Sequence, residues 1–330
     1  MKRLRIATRQ SNLALTQTRW VGAQLQTLHP GLEVEEIHVV SKGDKVLDKP
    51  LYAVGGKGLF VTAVEEIVVR GDADVAVHSL KDVPGDQELA TGMDLLCFPE
   101  REDPHDVLVT RDGSDLMSLE AGAKVGTTSL RRASQLKAQR GDLAFGTLRG
   151  NVETRLKRLE EGRFAAIVLA AAGLKRLGYL ADLKHQVLPP EHCLPAGGQG
   201  TLGLEGAADR PELRALLAPL EHGPTRVVTE AERAFLKRLQ GSCRVPIAGH
   251  ARLFDGGERL SLQGLVGDID GEKLLSASSD VFLKGRTREE RIAEAVALGR
   301  GVADQLIERG AREMMRQAEA TLARRQQLDN

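Results

Sequence analysis

The sequence is poor in aromatic residues and carries no net charge. Phe, Trp and Tyr make up 3% of the 330 residues, which argues against nucleic acid bases stacked on aromatic side chains. The 46 Lys and Arg residues balance 46 Asp and Glu residues, so no overall attraction to nucleic acid or anionic lipid is implied. No apolar run approaches the ~20 residues of a membrane-spanning helix, and we expect no secretory signal because no apolar region follows the first basic residues. We therefore expect neither a nucleic acid nor a membrane partner.

Cysteine is also scarce. The chain has three, Cys97, Cys193 and Cys243, at spacings that form neither a disulfide framework nor a zinc site. We expect a cytoplasmic protein without a bound metal. Cys97 lies in an apolar run, where a thiol is most often buried and inert. Cys243 follows two small residues and precedes Arg244, which favours an accessible thiolate. Both a functional and an inert role stay open for Cys243.

Alternating strand and helix patterns open the chain. Residues 4–7 predict a strand, apolar residues spaced by three and four from Ala14 to Leu28 predict a helix, and Glu33–Val40 predicts the next strand. This β-α-β order indicates a parallel sheet. A second α/β unit begins after Pro99–Pro104, where two prolines bracket charged residues and indicate a hinge.

The pattern changes after residue 222. Two predicted helices and three predicted strands with Gly-rich turns follow, over 225–239, 288–309, 247–254, 260–266 and 273–282. This combination is typical of a small α+β domain. The charged, Gln-rich residues 311–330 are expected to form a terminal helix that frays into a solvated tail.

The segment Val75–Pro84 brings reactive groups together. Its first five residues predict a buried strand, and Pro84 prevents a continued strand or helix. Ser79, Lys81 and Asp82 therefore follow the end of a core strand, where open α/β sheets bind ligands. A surface ion pair between Lys81 and Asp82 in a turn is the plainer alternative.

Positive charge is concentrated between residues 124 and 176, where twelve Lys or Arg face four Asp or Glu. Much of it lies at junctions between elements: the hydroxyl-rich turn Gly126–Arg132, then Arg149-Gly150-Asn151, then Lys175-Arg176. Helix N-termini and arginine side chains both favour anions. A merely solvated basic helix face is the alternative, and the sequence favours an anion site.

The predicted ligand is a small polyanion held between two α/β lobes. Arg9 and Ser11, at the first strand-to-helix junction, are expected to face the same cleft. An RNA-binding module that uses residues 124–176 is a weaker hypothesis, because aromatic residues are few and the net charge is zero. It predicts steep salt dependence of binding. An enzyme and a two-lobed binding protein for a small polyanion both fit these residues, since one fold serves both.

Short motifs run in order along nearly the whole chain. They are Leu4–Arg9, Val54–Phe60, Ser79–Pro84, Val125–Arg132, Leu148–Asn151, Ala172–Gly178, Pro195–Gly200 and the turn that holds Cys243. Together they resemble the porphobilinogen deaminase (hydroxymethylbilane synthase) family. Each motif is weak alone, and their number and order carry the resemblance.

The resemblance implies a mixed α/β fold of three domains. Two lobes would resemble those of periplasmic binding proteins, with lobe 1 at residues 1–98 and 200–218 and lobe 2 at 104–195. A smaller α+β domain of three antiparallel strands at 222–330 would carry the cofactor cysteine.

The resemblance also implies a transferase of tetrapyrrole and heme biosynthesis. Such enzymes join four porphobilinogen units head to tail, release ammonia, and give the linear tetrapyrrole hydroxymethylbilane. They prime the chain on a dipyrromethane cofactor held by a thioether to one cysteine, which matches Cys243 here. The family's catalytic aspartate matches Asp82, and Lys81 is a second, weaker catalytic candidate. We expect a monomer whose partner is the small substrate.

Each pyrrole carries an acetate and a propionate, so the growing chain is a row of carboxylates. The residues that match the family's cofactor- and substrate-binding positions are Arg9, Ser11, Lys57, Ser79, Lys81, Thr127, Ser129, Arg131, Arg132, Arg149, Arg155, Arg176 and Gln199. The chain departs from the family at Ala53, where relatives commonly have Lys, and in a longer tail.

Overall fold

The computed structural model describes residues 1–40, 61–85, 89–241 and 245–328. Ala53, Lys57 and Cys243 lie outside the described residues, as does the motif Val54–Phe60. In the described ranges the chain forms two α/β units and then a smaller α+β unit.

The strands of the described residues are β1 (Arg3–Arg9), β2 (Glu33–Val39), β3 (Val75–Ser79), β4 (Met93–Cys97), β5 (Asp106–Thr110), β6 (Lys124–Gly126), β7 (Ala144–Gly146), β8 (Ala166–Ala170), β9 (His185–Leu188), β10 (Leu202–Ala207), β11 (Ile247–Phe254), β12 (Arg259–Gly267) and β13 (Leu274–Phe282). The helices are α1 (Asn12–Leu28), α2 (Thr62–Val69), α3 (Leu130–Gln139), α4 (Val152–Glu160), α5 (Ala171–Arg176), α6 (Pro211–Leu217), α7 (Gly223–Leu239), α8 (Arg288–Glu308) and α9 (Ala311–Leu328). Among them no helix is both long and apolar enough to cross a membrane.

The first sheet has the order β2-β1-β3-β10-β4. Strand β1 pairs in parallel with β2 and β3, while β10 pairs antiparallel with β3 and β4. Because β1 and β3 are parallel, their carboxyl ends lie at one edge of the sheet, and the antiparallel β10 begins at that same edge. This sheet and its helices are called lobe 1 below.

The second sheet repeats this arrangement in the order β7-β6-β8-β5-β9. Strand β6 is parallel to β7 and β8, and β5 is the antiparallel strand between β8 and β9. This sheet and its helices are called lobe 2 below. The chain passes between the lobes twice, and the two connecting segments are called the crossovers below. The first connects β4 to β5 and the second connects β9 to β10, so each leads into the antiparallel strand of the lobe that it enters.

The two crossovers meet at the buried carboxylate of Glu232 on α7. Arg101, on the first crossover, donates from Nη1 to Glu232 Oε1 at 2.8 Å, and the Gly198 N–H, on the second, donates to Oε2 at 2.7 Å. The Ala251 N–H of β11 donates to Oε1 at 2.8 Å. Although burial opposes ionisation, Arg101 and His250 hold the pKa of Glu232 near 2. One carboxylate thus connects both crossovers to the C-terminal unit.

The C-terminal unit is the antiparallel sheet β11-β12-β13, covered by α7 and α8. Gly249 and Gly264 lie opposite each other on β11 and β12. A Cβ at either position would run into the ring of Phe235, a fully buried side chain of α7. The paired glycines therefore let the helix pack directly on the sheet.

Helix α9 continues the C-terminal unit. Met315, Ala318 and Leu322 are buried in the same apolar cluster as Phe235. The sequence correctly predicted a terminal helix. One face of α9 belongs to the core as far as Leu322, and the described side chains beyond it are exposed, as expected of a solvated tail.

The fold class predicted from the sequence is confirmed: two mixed α/β sheets with helices, and a small domain of three antiparallel strands. The residue bounds given above for the three domains stay a prediction.

Replacing Gly264 by Ala should destabilise the C-terminal unit by about 2 kcal/mol, because the added methyl group overlaps the buried Phe235 ring. Gly301→Ala, in the exposed middle of α8 with open space around it, is the matched control. It should stabilise the protein by up to about 1 kcal/mol through higher helix propensity. Thermal unfolding checks both; equal midpoints for the two variants would contradict the packing argument.

Candidate anion-binding cleft

The carboxyl ends of β1 and β3 form one wall of a pocket in lobe 1. Ser11 caps α1 by accepting the Ala14 N–H at 3.3 Å, which fixes the turn after β1. After β3 the chain makes a single 3-10 turn, Leu80–Asp82, which leaves Asp82 exposed. The pocket is lined by Arg9, Ser11, Leu13, Ala14, Gln17, Val61, Val64, Val77, His78, Ser79 and Asp82. Four sequence-predicted residues, Arg9, Ser11, Ser79 and Asp82, are therefore brought together.

Gln17 of α1 connects this pocket to lobe 2. Its Oε1 accepts hydrogen bonds from Ser79 Oγ at 3.1 Å and from Arg176 Nη1 at 3.0 Å. Arg176, at the end of α5, also donates from Nη2 to the Gly200 carbonyl at 2.6 Å. Sequence reasoning missed Gln17; its place on the buried face of α1 was the available signal.

Arg131 and Arg132 lie at the start of α3 and share one buried carboxylate, Asp106. Arg131 Nη1 is 2.7 Å from Asp106 Oδ2, and Arg132 Nη2 is 2.7 Å from Oδ1. Burial opposes ionisation of Asp106, but the two guanidinium groups hold its pKa well below the usual range. Sequence reasoning missed Asp106. A lone acid that opens the apolar strand β5, directly after the hinge, was a usable signal.

Gln199 joins this cluster to lobe 1. Its Nε2 donates to Asp106 Oδ1 at 3.0 Å, and its Oε1 accepts from Lys81 Nζ at 3.1 Å. Although Lys81 faces the open cleft, the protein packed around it and the positive charge of Arg132 lower the pKa of its ammonium group to about 8. The predicted residues Lys81, Arg131, Arg132 and Gln199 are thus neighbours.

Arg149 and Arg155 flank the start of α4 without a carboxylate partner among the described residues. Arg149 is 7% exposed, and its Nη1 is buried with no hydrogen-bond partner there. Arg155 donates from Nε to the Gly150 carbonyl at 2.8 Å. Burial lowers the pKa of both guanidinium groups, and nearby Arg132 adds to the effect at Arg155, whose pKa falls to about 10. Asp82 acts on Arg155 in the opposite direction.

Thr127 and Ser129 hold the turn before α3. Thr127 Oγ1 accepts the Ser129 N–H at 3.1 Å, and Ser129 Oγ accepts the Arg132 N–H at 3.4 Å as the helix cap. Their role as ligand-binding residues stays a prediction. Lys175, at the third basic junction of the sequence, instead pairs with Glu102 and Asp103 on the first crossover, at 3.2 and 3.1 Å.

The cleft therefore holds more positive charge than its own acids neutralise. Arg149 and Arg155 lack carboxylate partners in the described chain, and one Asp106 serves two arginines. Such a site is suited to a ligand with several carboxylates or phosphates. Within the described ranges, no group of three or more His, Cys, Asp or Glu side chains is placed to hold a metal ion.

Replacing Arg149 by Met should not lower the thermal midpoint of ligand-free protein, because the change removes a buried charge without a partner. Arg131→Met is the matched comparison. It breaks the buried pair with Asp106 and should destabilise the protein by about 3 kcal/mol. Both variants should bind anionic ligand less well. Equal losses of thermal stability would contradict the assignment of Arg149 as the unpaired cation.

Two family models of known proteins match this chain. Residues 4–215 match the family model "Porphobilinogen deaminase, dipyromethane cofactor binding domain", and residues 227–308 match "Porphobilinogen deaminase, C-terminal domain". Helix α9 lies beyond both matched segments.

Curated relatives match over nearly the full chain. The chain is 49% identical to the porphobilinogen deaminase of Nitratidesulfovibrio vulgaris strain Hildenborough over an alignment of 316 residues. This alignment covers 96% of each protein. It is 50% identical over 315 residues to that of Chromobacterium violaceum, which covers 96% of this chain and 97% of the relative. Among solved structures, a probable amino-acid transporter extracellular-binding protein from Bacillus subtilis aligns with a TM-score of 0.41 and 8% identity, over 67% of this chain and 90% of that one. The matched models and relatives show that the chain belongs to the porphobilinogen deaminase family.

Proposed function

We propose that this protein joins four porphobilinogen units head to tail, with release of ammonia, to give the linear tetrapyrrole hydroxymethylbilane. The observation that carries the proposal is the buried Nη1 of Arg149, which has no hydrogen-bond partner among the described residues and lies close to a second cation, Arg155. Every pyrrole unit brings an acetate and a propionate, so each addition brings negative charge to this cleft. The family membership supports the same reaction.

The residues present fit a dipyrromethane cofactor. Arg149, Arg155 and the outward groups of Arg131 and Arg132 would hold its carboxylates, while the hydroxyls of Ser11 and Ser79 offer neutral hydrogen bonds. When bound, this group supplies the pyrrole to which the first substrate unit is joined. We propose that a thioether at Cys243 attaches it, as in the family that the sequence resembles.

Asp82 is the proposed catalytic residue. It is an exposed carboxylate in the pocket that Arg9 and Ser11 also line, and it lies close enough to Arg155 to act on its charge. A carboxylate there accepts hydrogen bonds from pyrrole N–H groups and stabilises the positive charge that develops on the substrate as ammonia leaves. Lys81, hydrogen-bonded to Gln199, is placed to bind a substrate carboxylate.

We also propose that the protein works as a cytoplasmic monomer. Cys97 and Cys193 are buried free thiols, and burial raises the pKa of Cys193 to about 12. Buried thiols that stay protonated suit a reducing compartment. Both lobes of the proposed cleft come from one chain, so the reaction needs no second copy.

Purified protein should be heavier than its sequence by two pyrrole units, because the primer stays covalently attached. The Cys243→Ser variant should have the mass of its sequence alone, while Cys97→Ser should keep the added mass. Intact-protein mass spectrometry measures all three. A two-lobed binding protein for a free polyanion predicts no added mass in any of them.

Replacing Asp82 by Ala should lower kcat about a thousandfold. A unit charge pair at 4 Å contributes ~4 kcal/mol at an effective dielectric constant near 20, which corresponds to this factor. Thermal stability should hardly change, since Asp82 is exposed. Asp72→Ala, an exposed aspartate before the opposite end of β3, is the control and should keep wild-type kcat. Ammonia release under substrate saturation measures the effect; an Asp82→Ala enzyme with most of its kcat would contradict the role.

A further inference from the structure

Asp106 is a buried carboxylate whose hydrogen-bonding capacity is used entirely inside the protein. It begins β5, directly after the first crossover, and is 0% exposed. Oδ1 accepts from Arg132 Nε at 3.0 Å, from Arg132 Nη2 at 2.7 Å and from Gln199 Nε2 at 3.0 Å. Oδ2 accepts from Arg131 Nη1 at 2.7 Å and from Cys193 Sγ at 3.3 Å. No lone pair is left for a ligand.

These bonds fix the orientation of both arginines. Arg131 Nη1 donates to Asp106 and to the Leu194 carbonyl, both at 2.7 Å, which leaves its Nε and Nη2 without a hydrogen bond to other described residues. Arg132 forms a two-pronged pair with Asp106 and donates from Nη1 to the Val168 carbonyl at 3.0 Å. A planar guanidinium held at two points cannot rotate, so the direction of its remaining N–H groups is set.

Asp106 also sets the direction of the Gln199 side chain. Because Gln199 Nε2 donates to Asp106 Oδ1 and to the Pro104 carbonyl at 2.6 Å, its Oε1 must point away from them. There it accepts from Lys81 Nζ. The chain of contacts Asp106–Gln199–Lys81 thus runs from the arginine pair of lobe 2 to the cation of lobe 1.

From this geometry we propose that Asp106 is a positioning residue for the cofactor carboxylates. It holds Arg131 and Arg132 side by side against their mutual repulsion, and through Gln199 it fixes the ammonium group of Lys81 toward the cleft. Asp106 does not touch ligand. The proposal rests on the proposed function, since it names the residue that arranges the carboxylate-binding groups of that same cleft.

The chemistry of the carboxylate is required for this role. An amide of the same shape has only one acceptor oxygen, and its NH₂ group would face the N–H groups of an arginine or of Gln199. Asp106→Asn therefore leaves two adjacent guanidinium groups without a counter-ion. Where the amide NH₂ group faces one of them, that guanidinium group turns away from residue 106. A plain structural role predicts only lower stability, whereas a positioning role also predicts loss of loading and a raised KM.

The experiment compares Asp106→Asn and Asp106→Glu with a matched control, Asp142→Asn. Asp142 pairs with Arg140 at 2.6 Å just beyond the other end of α3, and neither residue is a hydrogen-bond partner of Asp106. Intact mass should show about tenfold less cofactor-loaded protein for Asp106→Asn, and wild-type loading for Asp142→Asn. Asp106→Glu keeps the charge at a shifted position, so it should load to about half of wild type or more, with KM raised about fivefold and kcat within about twofold.

Full loading and wild-type KM in a folded Asp106→Asn protein would overturn the proposal. If Asp106→Asn does not fold, Asp106→Glu decides: a raised KM with kcat retained supports the role, and an unchanged KM overturns it.

The pH dependence of Lys81 gives a readout that does not depend on enzyme activity. The negative charge of Asp106 raises the pKa of Lys81, so its removal should lower the pH at which Lys81 becomes reactive below the wild-type value of about 8. Modification by an amine reagent, followed by peptide mass spectrometry across pH, measures this midpoint. It should be unchanged in Asp142→Asn. A midpoint unmoved in Asp106→Asn contradicts the link, while wild-type protein without added pyrrole mass contradicts the proposed function instead.

Discussion

At the edge of the sheets where the strands end, the described carboxylates do not balance the positive charge of the arginines. The rest of the structure depends on this imbalance. Arg149 is buried without a carboxylate partner among the described residues, and burial lowers its pKa and those of Arg155 and Arg176. Such an arrangement is unfavourable in a folded protein by itself. It becomes favourable when an anionic ligand arrives, so stability is given up for binding. The cleft is therefore arranged for its occupied state.

The crossovers explain how so many cations can be held in place. Each sheet contains one antiparallel strand that the chain enters after a crossover from the other lobe, and these strands begin at the cleft edge. Asp106 opens β5, and Gln199 lies just before β10. The two residues that organise the cations thus lie where each crossover meets its antiparallel strand. Glu232 secures the same crossovers from the C-terminal unit.

Many of the strands and helix ends that form the cleft could be predicted from the sequence, because they depend on local patterns. The strand Val75–Ser79 and the helix caps at Ser11, Ser129 and Asn151 follow from neighbouring residues. The role of Asp106 could not be found in this way, although an acid at the start of an apolar strand is visible in the sequence, because its arginine partners lie 25 and 26 residues further along the chain. Gln17 was missed for a related reason: its place on the buried face of α1 is visible in the sequence, but its contact with Arg176 of the other lobe is not.

The contacts between the lobes affect how one cleft can accept a ligand that lengthens by one pyrrole unit at a time. The described residues form several polar pairs across the cleft: Arg176 with Gln17, Lys81 with Gln199, and Asn12 with Glu153 at 2.9 Å. Polar pairs can exchange for water at little net free energy. These pairs therefore oppose a slight separation of the lobes only weakly. The carboxylates of added pyrrole units would bind the same cations, Arg176 and Lys81, that form polar pairs between the lobes. Growth of the ligand would therefore weaken these pairs and loosen the contact between the lobes.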